Sequence, residues 1–224
     1  MKVFLEVTAQ NSRLNAYIKK LKRVILVNLI NNRLLDAVTK FFFLNMTWIL
    51  FCLPIITVPA STTATFAMAR EWRTGQSDSF SIPVFFNYFT HFFKKSMLLS
   101  YSWLITIIIL SFYFYFFLEN QITILLPLII TLLISYFLAS IYLIPVLVHY
   151  KTKGINIIKF SIIFGYSQLG TTLKSAMILL ASLIIVNSYP MMMLISGSIT
   201  IQLIYNNCHY SFEKVENRVI KNNY

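Results

Sequence analysis

Residues 94–119 read KKSMLLSYSWLITIIILSFYFYFFLE: two lysines, 23 residues without Asp, Glu, Lys or Arg, then an acid. As a helix, 96–118 would be about 34 Å long at 1.5 Å per residue. A bilayer core is about 30 Å thick and takes roughly 20 apolar residues per helical crossing. In lipid every backbone polar group has to be bonded within the segment, and a helix does this. A spanning barrel strand would alternate apolar and polar residues. LITIIIL here and LLPLIITLLI further on do not alternate, so this stretch sets the fold class as α-helical and membrane-embedded.

Three more stretches lack acids and bases: 41–69, 120–150 and 175–212, of 29, 31 and 38 residues. Their punctuation divides them. Glu119-Asn120-Gln121 is a tight turn between helices predicted at 98–118 and 122–148, the second carrying Pro127 near its start and Pro145 near its end. Pro145 should bend that helix or release the chain from it. The longest stretch breaks at Asn187-Ser188-Tyr189-Pro190, giving a hairpin of 171–187 and 190–207. The run 41–69 is too long for one upright crossing and too short for two. Pro54 and Pro59 divide it, and Ser61-Thr62-Thr63 offers N-caps after Pro59. The expected form is a proline-broken, re-entrant pair, 41–53 and 61–73, joined by PIITVPA. Ser61, Thr65 and Ala69 then share one face, a spacing of small residues that lets membrane helices approach closely. The resulting expectation is an all-α polytopic bundle of about five spans with juxtamembrane amphipathic helices. Its parts are an arm at 1–32, a membrane domain at 33–207 and a tail at 208–224.

The whole-chain balance agrees. Of 224 residues, 58% are hydrophobic and 12% charged, where a soluble domain carries about 25% charged residues. That excludes a disordered chain, which needs the opposite balance, and argues against a soluble enzyme. Cys52 lies within an apolar run and Cys208 far from it, so neither a disulfide framework nor a zinc site is expected.

The 19 basic residues fall in four places: eight in 1–40, four in 70–95, four in 149–174 and three in 206–224. The turns at 119–121 and 187–190 hold none. Lys and Arg mark cytoplasmic loops, so both turns are expected outside and the C-terminus inside. A single crossing at 41–69 would strand eight positive charges outside; a returning hairpin keeps both basic flanks, and the N-terminus, cytoplasmic. Residues 11–27 pattern as a basic amphipathic helix with Lys19, Lys20, Lys22 and Arg23 crowded on one side, suited to a membrane surface. Lys94, Lys95 and Lys174 stand at membrane entries, where an ammonium can snorkel outward. The net charge of +12 is thus explained by topology and an anionic inner leaflet, and no nucleic-acid partner is expected. No cleavable signal peptide is expected either, since the first long apolar run begins at Phe41 behind a basic region.

Sites for chemistry are sparse. The predicted spans hold no charge of the kind that marks proton relays or ion paths. There is no HExxH, GxSxG, P-loop or CxxC string. His91, His149 and His209 are far apart in sequence, so no metal, cofactor or catalytic residue is assigned and the chain is expected not to be an enzyme. Uncharged polar residues remain: Asn45, Thr47, Thr57, Ser61, Thr62, Thr63 and Thr65 at the break, Ser100, Ser102, Thr106 and Ser111 in the next helix, and Ser196, Ser198, Thr200 and Gln202 in the last. They can knit helices together or line a path for a neutral solute; knitting is the favoured role. A loose parallel repeat relates 83–110 to 157–184, each with an aromatic-rich segment and a Lys-Ser pair at the membrane entry, and each followed by a helical hairpin.

The block RLLDAVTKFFFLNMTWILFCLPIITVPASTTATFAMAREWRTG, followed by FFNYFTHFFKKSMLLS, resembles the YesL-like family of small bacterial membrane proteins of unknown function. Asn45, Trp48, Leu53-Pro54, Thr57, Pro59, Ser61 and Gly75 carry the resemblance, which runs more loosely to Ile185. It implies an integral membrane protein with about five spans and an accessory role in carbohydrate or solute uptake. A solute-importer permease or a sensor kinase would be the partner, and the chain could also be a homo-oligomer. The alternative is a permease subunit passing a neutral polar solute.

Overall fold

The computed structural model describes residues 34–77, 79–121, 123–150 and 154–222. The basic arm with Lys19, Lys20, Lys22 and Arg23 lies outside the described residues. The chain divides into two compact units, Met1–Lys40 and Phe41–Tyr224. Of the first, residues 34–40 are described: they are helical, expose Leu34, Leu35 and Val38, and Thr39 Oγ1 donates to Leu35 O at 2.7 Å.

Seven α-helices make up the described residues: α1 (Leu34–Cys52), then α2 (Val58–Thr74), α3 (Ile82–Glu119), α4 (Leu126–His149), α5 (Gly154–Ser167), α6 (Leu169–Ser188) and α7 (Met193–Asn222). Four are long and apolar enough to cross a membrane: α1, α3, α4 and α6. The fifth predicted span, 190–207, is not among them. Its apolar residues begin α7, but Gln202, Asn206 and Asn207 dilute the pattern, and the helix continues into charged sequence. The first candidate span is α1, which starts seven residues before the predicted Phe41.

Pro54 is extended (φ −75°, ψ 111°) and opens a 3-10 turn at Ile55–Thr57. Pro lacks the N–H that would continue α1, so the chain leaves the helix here. The second helix begins at Val58, not at Ser61, because Pro59 fits the first turn of a helix. Ser61-Thr62-Thr63 therefore lies inside α2 and does not cap it. The returning helix runs antiparallel to α1: Trp48 meets Ser61 and Thr62, while Phe41 meets Trp72 edge-on at 5.4 Å. Ala60, Ser61, Ala64, Thr65, Ala67 and Ala69 of α2 are buried, consistent with close approach through small side chains.

The aromatic segment before Lys95 and the span after it form one helix, α3. The counterparts at 157–184 are two helices, broken at Gln168 (φ −127°, ψ 50°), so the two halves of the sequence repeat adopt different structures. Pro145 does not end α4, which continues to His149 with Pro145 fully buried. The segment after Tyr150 folds back as α5 along α4. Gly165 lies so close that a Cβ there would meet Leu138 O at 3.0 Å, and Tyr166 Oη lies 2.6 Å from Ser135 Oγ.

The predicted tail from 208 is instead the second half of α7. Cys208, Ser211 and Phe212 are buried, with Val215 packed beside them. Their i, i+3, i+4, i+7 spacing makes one inward-facing stripe of a helix, apolar except for Ser211. Two cores result. One gathers Tyr142, Phe164, Tyr205 and Phe212 from α4, α5 and α7; the other gathers Leu44, Ala64, Met68 and Phe85 from α1, α2 and α3. Elsewhere α3, α4 and α6 turn large apolar side chains outward, among them Ile108, Phe112, Phe137, Leu180 and Ile184. That pattern suits lipid as surroundings.

Candidate functional site

At the proline break several freed polar groups find partners. Thr57 Oγ1 lies 2.5 Å from Phe51 O and 2.7 Å from Pro54 O, two carbonyls near the place where α1 stops. Ser61 Oγ donates to Trp48 O at 3.1 Å, and Trp48 Nε1 donates to Thr62 Oγ1 at 3.2 Å. The apolar tip points away from the protein: Leu53, Ile55 and Ile56 are 73%, 83% and 65% exposed. Tyr101 of α3 donates to Ile56 O at 3.1 Å. Tyr101 stands eighteen residues before Glu119, so the tip falls about 27 Å short of the α3–α4 turn. Gly75 ends α2 in the left-handed region (φ +70°) and donates its N–H to Glu71 O, a conformation that favours glycine.

Asn45 joins α1 to α7. It is fully buried. Its Nδ2 donates to Met193 O at 2.7 Å, and its Oδ1 accepts from the Ser198 N–H at 3.1 Å. Ser198 Oγ donates to Phe41 O at 2.8 Å. Gly197 makes room for this: a Cβ there would sit 2.6 Å from Asn45 Oδ1 and 3.4 Å from the Trp48 ring. Sequence reasoning singled out Asn45 and Trp48 but missed Gly197; its place between Ser196 and Ser198 was the available signal.

A second polar cluster joins the C-terminal ends of α2 and α4 to α7. Arg70 Nη1 donates to Val148 O at 3.1 Å, a last-turn carbonyl that has no partner in its own helix. Gln202 Nε2 donates to Ala69 O at 3.4 Å and to Asn206 Oδ1 at 3.2 Å. His149 Nδ1 lies 3.3 Å from Tyr205 Oη, and Nε2 lies 3.7 Å from Glu216 Oε1. Tyr150 Oη donates to the same Glu216 oxygen at 2.9 Å. Burial first, and then Glu216, push the Tyr150 hydroxyl up, so it stays a donor at neutral pH. The structure also brings together two histidines that are distant in sequence, His149 and His209, with ring centroids 5.5 Å apart. Among the described residues no group of three or more His, Cys, Asp or Glu side chains could hold a metal ion.

Ser102 and Thr106 bond back to Leu98 O and Ser102 O of their own helix, at 2.7 and 2.9 Å. Deeper in, Trp103 stacks on Tyr136 at 4.5 Å and donates to Ser140 Oγ at 2.9 Å. Tyr142, Thr171 and Ser211 share a hydroxyl cluster with separations of 2.7 to 3.3 Å. Lys94, Lys95 and Lys174 are exposed. A cavity of about 360 Å³ opens between α6 and α7, with Ile178, Ile185, Ile199 and Leu203 in its largely apolar wall.

Residues 41–114, which take in the hairpin and most of α3, match the family described as "Protein of unknown function, DUF624". The chain is similar to the uncharacterized protein YesL of Bacillus subtilis (strain 168), 26% identical over 155 residues, covering 65% of this chain and 71% of that protein. No solved structure matches. Over residues 41–114 this chain, with four helices long and apolar enough to cross a membrane, is similar to the DUF624 family of unknown function, and more distantly to YesL.

Proposed function

We propose that the protein is a non-catalytic, multi-pass component of the cell membrane that assists uptake of a carbohydrate or another solute by docking partners at its basic end. One observation carries this reading. The uncharged polar groups around the break, which a permease would turn toward its solute, are engaged inside the protein: Asn45 with α7, Ser61 and Thr62 with Trp48, Thr57 with the turn. Groups held this way join helices and are poorly placed to line a path. The alternative of a permease subunit for a neutral solute is weakened by the same bonds, and solute flux into proteoliposomes of the purified chain would restore it.

The charge pattern supports an orientation with both basic flanks of the hairpin, and the C-terminus, in the cytoplasm. The hairpin brings Phe41 beside Trp72, so it enters and leaves at one face. Residues 70–95 and 149–174, with exposed Arg73, Lys94, Lys95, Lys159 and Lys174, would form the docking surface for a solute-importer permease or a sensor kinase. Affinity purification from native membranes tests this. Specific recovery of a permease or kinase, lost when Arg73 and Lys159 are replaced by Glu, is the expected result. Purification of the chain alone, with normal uptake in a deletion strain, would refute it.

A further inference from the structure

We infer that α3 carries a seat for an anionic phospholipid headgroup at Thr90–Lys95. Three independent features converge there. The first is charge. Lys94 and Lys95 are adjacent and exposed, and neither forms an ion pair among the described residues, where carboxylate pairs involve only His149 and His209. Glu71 of α2 accepts from Tyr88, one to two turns before the lysines on α3.

The second feature is shape. Thr90, His91, Phe93, Lys94 and Lys95 line an open cavity of about 470 Å³, with room for a phosphate and its substituent. Among the described residues its wall offers two ammonium donors beside a phenyl face, and no carboxylate. The third is level. Beginning at Ser96, α3 has 23 residues without charge, about 34 Å of helix against a core of about 30 Å. The two lysines therefore sit at the headgroup layer. Ile56 at the hairpin tip, bonded to Tyr101, lies about 9 Å further into the bilayer by the helix rise.

The ligand chemistry is a phosphodiester carrying one negative charge, tethered to acyl chains that run along the outward apolar face of α3. A basic residue at a membrane surface contributes about fivefold to anionic-lipid affinity, so two contribute about 25-fold. The inference rests on α3 crossing the membrane and is independent of the accessory role. Extraction of the protein by alkaline carbonate would therefore undo the membrane reading separately.

The test is native mass spectrometry of the full-length chain in detergent, titrated with phosphatidylglycerol and with phosphatidylcholine. One saturable phosphatidylglycerol site is expected. It should weaken about 25-fold in Lys94→Gln/Lys95→Gln, recover in Lys94→Arg/Lys95→Arg, and be unchanged in Lys214→Gln/Arg218→Gln. The single substitutions, about fivefold each, serve if the double variant is not monodisperse. Equal weakening in the Lys214/Arg218 variant would overturn the site in favour of diffuse charge attraction. Competition by millimolar glycerol phosphate would overturn it in favour of a free-anion site, and equal retention of the two lipids would remove it altogether.

Discussion

Asn45 and Gly197 show how one pair of residues can fix the position of a helix. A buried amide is tolerated where both its donor and its acceptor are used, and Asn45 uses both on α7. Gly197→Ala would drive a methyl into the amide oxygen, and the neighbouring Trp48 ring limits the room to adjust. The expected cost is about 1–3 kcal/mol, read as a lower melting temperature in detergent. Gly170→Ala, with nothing within 4 Å of its new methyl, should be neutral or stabilising by up to about 1 kcal/mol. Because the amide is the obstacle, Gly197→Ala should cost measurably less in an Asn45→Ala background. Additive losses would show that the contact is not the cause.

Between elements, polar side chains serve the helix ends. Arg70 reaches an orphan carbonyl at the end of α4, where the helix dipole also favours a cation. Arg70→Ala should lower stability by about 1.5–3 kcal/mol, as for a hydrogen bond from a charged donor, in thermal unfolding of the detergent-solubilised chain. Loss of no more than the usual surface scatter would exclude the clamp. The second half of α7 is the other element-scale case. Phe212 is fully buried against Tyr142, Phe164 and Tyr150. Phe212→Ala should cost about 3–5 kcal/mol, and truncation after Asn207 should abolish monodisperse extraction. A truncated chain that elutes and melts like the full one would make 208–222 a dispensable tail.

For the whole molecule, the controlling fact is that so much apolar surface has no protein partner. Ile105, Ile108, Phe112, Leu180 and Ile184 are more than half exposed, an arrangement suited to lipid and not to water. The protein should stay with membranes through alkaline carbonate and require detergent thereafter. Topology follows from the same frame. Cysteines introduced at Gln121 and Tyr189 should react with an impermeant maleimide in intact cells, while those at Gln76 and Arg218 should react only after lysis. Labelling of Gln76 from outside would reverse the hairpin reading.

The helical membrane class, the Pro54 break and the short turns after Glu119 and Ser188 were all legible along the chain. These depend on local quantities: run length against bilayer thickness, a missing N–H at proline, and turn chemistry. Tertiary packing was needed to bring Ser61 to Trp48, to fasten α7 through Asn45, to let His149 and His209 meet, and to bury Cys208, Ser211 and Phe212 in the core. Those outcomes depend on which helices become neighbours. An uncharged polar residue that will bond to a distant helix has the same local signature as one that will line a path or face solvent.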